Sequence, residues 1–440
     1  MSTSSKVIER NAAVKEQRGN KRPRESALRT ALAGLVGNVL EWFDFAVYGY
    51  FASDIGQQFF PQEDPVAQQL SAFAVFALGF FARPIGGLVL GMVGDRIGRR
   101  PLLILSILMM GVATLLLGLL PTYAQIGVLA PLLLVAMRVI QGFSLGGEYT
   151  GSMAYTTEKA SPAMRGIISS STAVGTTLGF ILGSGSAWLV NTMMPRESVA
   201  IWGWRIPFIA SVIICIIGYL ILRGVGETEA GLKAASARPP LLPSLLADWI
   251  PIVQTFGIVG MTNAAYYLTF TYMVERRKAM SGVGGEAFLL AYSLTLVLVL
   301  FSKPLGGWLS DRVGRRRMML TLTGATMSLV YFAQRMMLYG SPAEFTVGQV
   351  LLAIPIGMAL GLQGAMVVEI YPLRTRVTSL SFSYSVTLAL TGGLAPFVST
   401  WLIERLNMPL APAFYIMALG AIGLALMLPM AETNKRALDV

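Results

Sequence analysis

The chain contains no histidine, and its only cysteine is Cys215. A single cysteine excludes a disulfide framework and a cysteine-based metal site, and we expect no metal and no cofactor. Without histidine, a group that exchanges a proton near neutral pH has to be a carboxylate. The sequence shows neither a nucleophile–base set nor an additional domain, so we expect no enzymatic activity.

Charged residues are also scarce. They make up 13% of the 440 residues, whereas hydrophobic residues make up 54% and the mean hydropathy is +0.63. A soluble protein of this size carries about twice that share of charge. The composition therefore indicates a protein that crosses the lipid bilayer several times.

The hydrophobic residues form twelve apolar spans, each long enough for a transmembrane helix. The fold class that follows is an all-α membrane protein with twelve transmembrane helices. The spans lie at residues 31–55, 67–94, 100–121, 127–157, 165–191, 202–223, 250–275, 286–310, 316–338, 344–371, 377–404 and 410–430.

A polar stretch at residues 224–249 separates the first six spans from the last six. We predict an N-terminal six-helix bundle at residues 31–223, this stretch as a cytoplasmic linker, and a C-terminal six-helix bundle at residues 250–430. Residues 1–30 are predicted to be a basic cytoplasmic tail, and residues 431–440 a second cytoplasmic tail.

Lysine and arginine mark one side of the membrane. Most of them fall in the two tails and in the loops after even-numbered spans, which the positive-inside rule assigns to the cytoplasm. We therefore predict a multi-pass protein of a bacterial inner membrane with both termini cytoplasmic. This distribution accounts for the pI of about 9.8 without a nucleic-acid partner. The cluster Arg276-Arg277-Lys278 is the exception to the pattern, and the sequence gives no account of it.

The two halves of the chain repeat each other. Residues 91–100 read Gly-Met-Val-Gly-Asp-Arg-Ile-Gly-Arg-Arg, and residues 307–316 read Gly-Trp-Leu-Ser-Asp-Arg-Val-Gly-Arg-Arg. Upstream, Arg83-Pro-Ile-Gly-Gly is echoed by Lys303-Pro-Leu-Gly-Gly. Such a repeat predicts two pseudo-symmetric six-helix bundles with a binding site between them. A second repeated pair has a glutamate seven residues before an arginine: Glu158 and Arg165, then Glu369 and Arg376.

Charged residues within the apolar spans mark the path of an ion or a substrate, because a charge in hydrocarbon costs at least roughly 2.5–3.5 kcal/mol. Span 4 carries Arg138 and Glu148, with Gln141 on the same helical face. Gly142 and Gly146 are spaced to admit another helix closely. We predict that span 4 lines the pathway.

Span 1 carries Glu41, Asp44 and Tyr48 on one helical face. A buried carboxylate beside a cation changes its proton affinity when the cation moves. Asp44, Glu41 and Glu148 are therefore the candidate proton-coupling residues, and which of them carries the proton stays open. The alternative is that they form static ion pairs between helices.

Substrate binding is assigned to residues that can hold a carboxylate or a small cation. Arginine offers a planar fork that fits a carboxylate, and tyrosine faces attract a quaternary ammonium group. The alternatives are permanent ion pairs for the arginines and membrane-interface positions for the tyrosines. The candidates are Arg138, Arg83, Gln141, Tyr48, Asn263, Tyr266 and Tyr267.

The repeated Gly-x-x-x-Asp-Arg-x-Gly-Arg-Arg loops and the Arg138-x-x-x-Gly142-x-x-x-Gly146 spacing resemble the major facilitator superfamily. Within it, the chain resembles the metabolite:proton symporter family over essentially all residues after 30. The supporting stretches are Gly37–Tyr50, Arg83–Gly87, Gln141–Tyr149 and Trp202–Phe208.

This resemblance implies that the repeated loops gate the transporter. The aspartates would cap neighbouring helix ends and the arginines would bind acidic partners, which closes one face; the alternative is simple anchoring by positive charge. The residues concerned are Asp95, Arg96, Arg99, Asp311, Arg312, Arg315, Glu158 and Glu369.

The resemblance also implies proton-coupled symport by alternating access, with a small-molecule substrate and H⁺ as partners. The expected substrate is a small carboxylate-bearing metabolite, either a zwitterion such as proline or betaine or an organic acid such as 2-oxoglutarate, citrate or a dicarboxylate. The alternative is a proton-coupled exporter of small organic compounds. We expect a monomer.

Overall fold

The computed structural model describes residues 26–60, 65–237, 241–281, 285–436 and 438. Most of the predicted basic N-terminal tail lies outside the described residues. Within these ranges the chain forms twelve long helices, each of which overlaps one predicted span. The all-α fold with twelve transmembrane helices is therefore confirmed.

The long helices are numbered α1 to α12 in chain order. They are α1 Ala27–Tyr50, α2 Pro65–Ile97, α3 Arg99–Leu119, α4 Leu129–Lys159, α5 Arg165–Met193, α6 Arg205–Arg223, α7 Trp249–Tyr267, α8 Gly285–Val313, α9 Arg315–Tyr339, α10 Pro342–Glu369, α11 Arg376–Leu388 and α12 Ala411–Met427. Seven helices in the described ranges are long and apolar enough to cross a membrane by length and composition alone.

Two of the helices continue past a local change in winding. A π-helical turn at Leu268–Tyr272 joins α7 to Met273–Ser281, and another at Ala389–Gly393 joins α11 to Ala395–Leu406. Such turns widen the backbone hydrogen-bonding pattern and are frequent at functional sites. The second turn lies in the glycine-rich part of span 11.

The repeated loops are tight because of one glycine in each. Gly98 (φ 104°) precedes α3, and Gly314 (φ 113°) precedes α9. Residues with a side chain rarely adopt this conformation. The glycine therefore lets α2 turn directly into α3, and α8 into α9, without a longer connection.

Helix α4 packs against α2 through small residues. A Cβ atom on Gly142 would collide with the backbone of Gly79, and one on Gly146 would collide with that of Gly87. The close approach predicted from the spacing of these glycines is thus observed. It places the polar face of α4 beside the charged residues of α1 and α2.

The two six-helix bundles meet along two seams. Helix α2 packs against α11, and α5 packs against α8. At these seams Gly91 lies against Thr378, and Gly166 lies against Gly307. The assignment of residues 31–223 and 250–430 to two domains stays a prediction.

The basic cluster Arg276-Arg277-Lys278 now has a structural account. Arg277 donates from Nη1 and Nη2 to the carbonyls of Leu338 and Gly340, both at 2.7 Å, and Arg276 donates to a carbonyl of the loop before α12 at 2.8 Å. Arg277 therefore satisfies carbonyls at the end of α9 that no helical N–H reaches. The side chain of Lys278 lies outside the described residues.

Candidate functional site

A cavity lies between the two bundles, with an empty volume of about 450 Å³. The N-terminal bundle contributes Trp42, Arg83, Tyr149 and Thr176 to its lining, and the C-terminal bundle contributes Asn263, Tyr266, Tyr267, Lys303 and Tyr384. Its wall therefore combines two cations with a group of aromatic side chains.

Arg83 is paired with Glu41, and both side chains are buried. Nη1 of Arg83 lies 3.2 Å from Oε1 of Glu41. Arg83 Nε and Glu41 Oε2 have no hydrogen-bond partner among the described residues. The pair is thus joined by a single hydrogen bond, and one buried polar atom on each side chain is left without a partner among the described residues.

Arg138 forms a second ion pair, with Asp44, at 2.6 Å. Gln141 Nε2 and Thr114 Oγ1 also donate to Asp44, at 2.9 and 3.2 Å, and the Arg138 guanidinium lies 3.7 Å from the centre of the Tyr48 ring. Three polar groups, from Arg138, Gln141 and Thr114, thus hold the Asp44 carboxylate inside the N-terminal bundle. The structure therefore does not bring Arg138, Gln141 or Tyr48 to the cavity lining, where substrate binding was predicted.

Glu148 is buried in α4 and faces α1 beside Gly37. It forms no salt bridge with a described residue, and its Oε2 has no hydrogen-bond partner among them. Its neighbour of like charge is Glu41. The structure thus separates Glu148 from both Arg138 and the cavity lining, so its proposed proton-coupling role has no cation partner here.

The aromatic side chains of α7 face the cavity as predicted from span 7, together with Asn263. The rings of Tyr266 and Tyr267 stand edge to face with centroids 5.8 Å apart. Tyr149 and Tyr384, which the sequence reading missed, approach each other at 5.3 Å from opposite bundles. They add aromatic surface on which a ligand cation could rest.

Lys303 is a further cavity residue that was not predicted from the sequence. It is buried, and its Nζ donates to the carbonyl of Ala173 and the hydroxyls of Thr176 and Thr177 on α5, at 2.6, 3.0 and 2.6 Å. A signal was present in the sequence, because Lys303 occupies the position of Arg83 in the repeated motif. Arg83 was taken as a site residue and its counterpart was not.

The first repeated loop fastens the N-terminal bundle to the start of α11. Asp95 accepts hydrogen bonds from Val377 N at 3.2 Å and from Thr378 N and Oγ1 at 2.9 and 2.7 Å. Arg99 binds Asp95 at 3.1 Å and Glu158 at 3.2 Å. A carboxylate at a helix N-terminus is stabilised by the free N–H groups and by the helix dipole.

The second repeated loop makes the mirror contact at the start of α5. Asp311 accepts from Gly166 N at 2.8 Å and Ile167 N at 3.0 Å. Arg315 binds Asp311 at 2.7 Å and Glu369 at 3.4 Å. Each bundle thus caps one helix of the other.

Two ion pairs cross between the bundles at the same end of the molecule. Arg376 on α11 lies 2.9 Å from Glu158 on α4, and Arg165 on α5 lies 3.8 Å from Glu369 on α10. With the two capping aspartates they close this end. By the predicted topology it is the cytoplasmic end.

Arg96 and Arg312 take no part in these contacts, although they belong to the same loops. Both are exposed, and Arg312 rests on the ring of Trp308 at 3.9 Å. Glu227 and Glu432, which the sequence reading missed, instead complete the two loops. Each accepts from the first backbone N–H groups of the helix after its loop, Glu227 from Arg100 N at 2.9 Å and Glu432 from Arg316 N at 3.2 Å.

Two bundles of six helices, joined around a charged cavity and fastened at one end, define a membrane transporter. Residues 30–230 match the family model "Sugar (and other) transporter", and residues 278–438 match "Major Facilitator Superfamily". The chain belongs to the major facilitator superfamily and, within it, to the metabolite:proton symporter family. Proteins of this family transport solutes and are not enzymes.

Curated relatives agree with this assignment. The chain is 33% identical over 428 residues to the proline/betaine transporter of Salmonella typhimurium, covering 94% of this chain and 85% of that protein. It is 33% identical over 392 residues to the citrate-proton symporter of Klebsiella pneumoniae, covering 88% of each.

Solved structures show the same fold. The proton:xylose symporter XylE, bound to 6-bromo-6-deoxy-D-glucose, matches with a TM-score of 0.77 at 17% identity, covering 94% of this chain and 97% of that one. The Escherichia coli fucose:proton symporter FucP matches with a TM-score of 0.67 at 13% identity, covering 91% and 97%.

Proposed function

We propose that this protein takes up a small carboxylate-bearing metabolite together with protons, across a bacterial inner membrane, by alternating access to the cavity. The observation that carries the proposal is the buried Arg83, which lies in the cavity wall and is held by a single hydrogen bond to Glu41. The guanidinium fork suits a carboxylate. Arg83 therefore replaces Arg138 as the arginine that meets the substrate.

Glu41 links the proton to the substrate, because both compete for the same guanidinium. An ionised Glu41 holds Arg83. A proton that binds at Glu41 Oε2 makes the carboxyl group neutral and weakens its attraction for Arg83, so the fork becomes available to a substrate carboxylate. Loss of that proton restores the pair and displaces the substrate.

Asp44 and Arg138 form a second proton-responsive pair without substrate contact. Protonation of Asp44 would weaken its 2.6 Å contact with Arg138 and allow α1 and α4 to shift relative to each other. Glu148 is the third candidate, since it packs directly against α1. Single substitutions to the amide separate the three.

The contacts around Asp95 and Asp311 would serve as the cytoplasmic gate. They join opposite bundles through helix N-termini, as do the ion pairs of Glu158 and Glu369. Opening the cavity to the cytoplasm requires all of them to break together, because they lie at one end of the same two seams.

The substrate class is narrowed by charge and shape. The aromatic lining suits the ammonium group of a zwitterion such as proline or betaine, and the two cations suit an organic acid such as 2-oxoglutarate, citrate or a dicarboxylate. Glycine betaine and 3,3-dimethylbutyrate have the same shape and differ in the charge of one centre. Their relative inhibition of uptake distinguishes the two classes.

The test is uptake into proteoliposomes with an inward proton gradient and labelled proline, glycine betaine, 2-oxoglutarate, citrate and succinate. We expect gradient-dependent accumulation of at least one compound. Glu41→Gln should abolish accumulation and keep binding, whereas Glu404→Gln, an exposed position on the extension of α11, should change neither. If no compound accumulates and collapsing the gradient alters no flux, the symporter proposal fails. Movement of solute against the direction of proton flow would establish the exporter instead.

A further inference from the structure

The second cation of the cavity is held differently from the first. Lys303 donates hydrogen bonds to three neutral acceptors on α5, namely the Ala173 carbonyl and the hydroxyls of Thr176 and Thr177. Among the described residues its ammonium group has no carboxylate partner, whereas Arg83 has Glu41. A buried cation without a counter-charge is costly, and a ligand carboxylate would supply that charge.

The ammonium group is also within reach of a ligand. Ala173 and Thr176, which accept its hydrogen bonds, line the same cavity as Lys303 itself. A carboxylate that enters the cavity can therefore replace one of these neutral acceptors without a change in the fold. Arg83 is less accessible to it, because Glu41 already occupies one edge of the guanidinium.

We propose that Lys303 is the residue that binds the substrate's carboxylate first and that selects carboxylate-bearing solutes. The inference rests on the proposed function, because it concerns the same cavity. Lys303 comes from the C-terminal bundle and Arg83 from the N-terminal bundle. The substrate carboxylate binds first at Lys303 while Glu41 still holds Arg83. Once Glu41 is protonated, Arg83 becomes available to the same carboxylate or to the second carboxylate of a dicarboxylate.

The same hydrogen bonds connect the bundles, since they run from α8 to α5 across one of the two seams. A carboxylate that binds the ammonium group of Lys303 in place of these acceptors weakens the connection between α8 and α5. Substrate binding and movement of the bundles are then coupled through one side chain.

The test uses the purified full-length protein in detergent, without a gradient. The ligand is whichever compound of the uptake panel binds the wild type, compared with its primary carboxamide, which has nearly the same shape and no charge. Lys303→Met and Lys303→Gln should each weaken binding of the carboxylate about tenfold or more, since hydrogen bonds to charged groups are the stronger ones, and should leave carboxamide binding nearly unchanged. Lys303→Arg should keep most of the carboxylate affinity.

Thr177→Val is the matched control, because Thr177 accepts a hydrogen bond from Lys303 and is not among the residues that line the cavity. It removes one acceptor from the ammonium group but keeps the charge, so carboxylate binding should be unchanged or tighter. If the Lys303 variants weaken binding of the carboxylate and of the carboxamide equally, or if Thr177→Val weakens carboxylate binding as much as Lys303→Met does, then Lys303 only joins the bundles and the inference is wrong. Wild-type binding without accumulation in proteoliposomes would refute symport while leaving the Lys303 test intact, and a wild type that binds no panel compound would overturn both.

Discussion

Replacing Asp95 by asparagine should open the closed end of the transporter. Asp95 accepts three hydrogen bonds from Val377 and Thr378, at 2.7 to 3.2 Å, at the N-terminus of α11. Asparagine keeps the shape of the side chain, removes its charge and turns one acceptor atom into a donor. The closed arrangement therefore loses most of its stabilisation from this residue, while the open one is affected little.

The size of the effect follows from those three contacts. A hydrogen bond to a charged group contributes about 1.5–3 kcal/mol, and a neutral one about 0.5–1.5 kcal/mol. Losing the charge at three contacts, each by about 1–1.5 kcal/mol, weakens the closed state by about 3–4.5 kcal/mol, which lowers the ratio of closed to open molecules by roughly 150- to 2,000-fold. Asp311→Asn should have a similar effect, because it caps α5 through two N–H groups.

Distance measurements between spin labels would detect this shift. The buried Cys215 can be replaced by alanine, and cysteines for labelling placed at Ile97 and Val313, which are 52% and 45% exposed at the ends of α2 and α8. Asp95→Asn should add a population with a longer distance. The control is Arg96→Gln, an exposed neighbour outside the gate contacts. An unchanged distance distribution in Asp95→Asn, or the same change in the control, would refute the reasoning.

Two further predictions concern stability, measured as the midpoint of thermal unfolding in detergent. Gly179→Ala should lower the midpoint, because the added methyl group would collide with the backbone of α1 and overpacking costs about 1–3 kcal/mol. The control, Gly185→Ala, should leave the midpoint unchanged, because Gly185 has open space around it. Equal midpoints for the two variants would contradict the packing argument. Asp44→Asn should lower the midpoint more than Glu148→Gln. The first substitution leaves the guanidinium of Arg138 buried without its carboxylate, a loss of about 3–5 kcal/mol, whereas Glu148 has no salt bridge with a described residue to lose. The reverse order would show that the ion pair of Asp44 and Arg138 does not stabilise the protein as argued.

The helices and the closed end were predictable because their signals are local. Hydropathy locates each transmembrane helix, because a chain in lipid has to form its backbone hydrogen bonds internally. A glycine in each repeated motif marks the tight loop that follows the helix. The contacts of Asp95 and Asp311 were expected from the family that the repeated ten-residue motif resembles, and the motif itself is legible in the sequence because it occurs twice.

The residues of the cavity were less predictable. Helical periodicity shows which residues share one face of a helix, but not which other helix or cavity that face contacts. Arg138 and Arg83 are both arginines within apolar spans, and the sequence alone predicted both as substrate-binding residues. The structure shows that Asp44 and Tyr48 enclose Arg138, whereas Arg83 reaches the cavity. The distinction depends on helix rotation within the bundle, which is set by packing of glycines and aromatic side chains far apart in sequence.

The two repeats are alike at the closed end and differ at the cavity. Asp95 and Asp311 cap equivalent helices, since two bundles that rock against each other need matching contacts at both seams. Arg83 and Lys303 also occupy equivalent positions, but Arg83 lies beside a carboxylate and Lys303 beside hydroxyl groups. A symporter has to bind two different species, the proton and the substrate. In the proposed mechanism the proton binds Glu41 and so changes the ion pair of Arg83 in one bundle, and the substrate carboxylate binds first at Lys303 in the other bundle. In that mechanism, rocking of the bundles would change the separation of these two cations, so a solute held by both would be bound in one arrangement and released in the other.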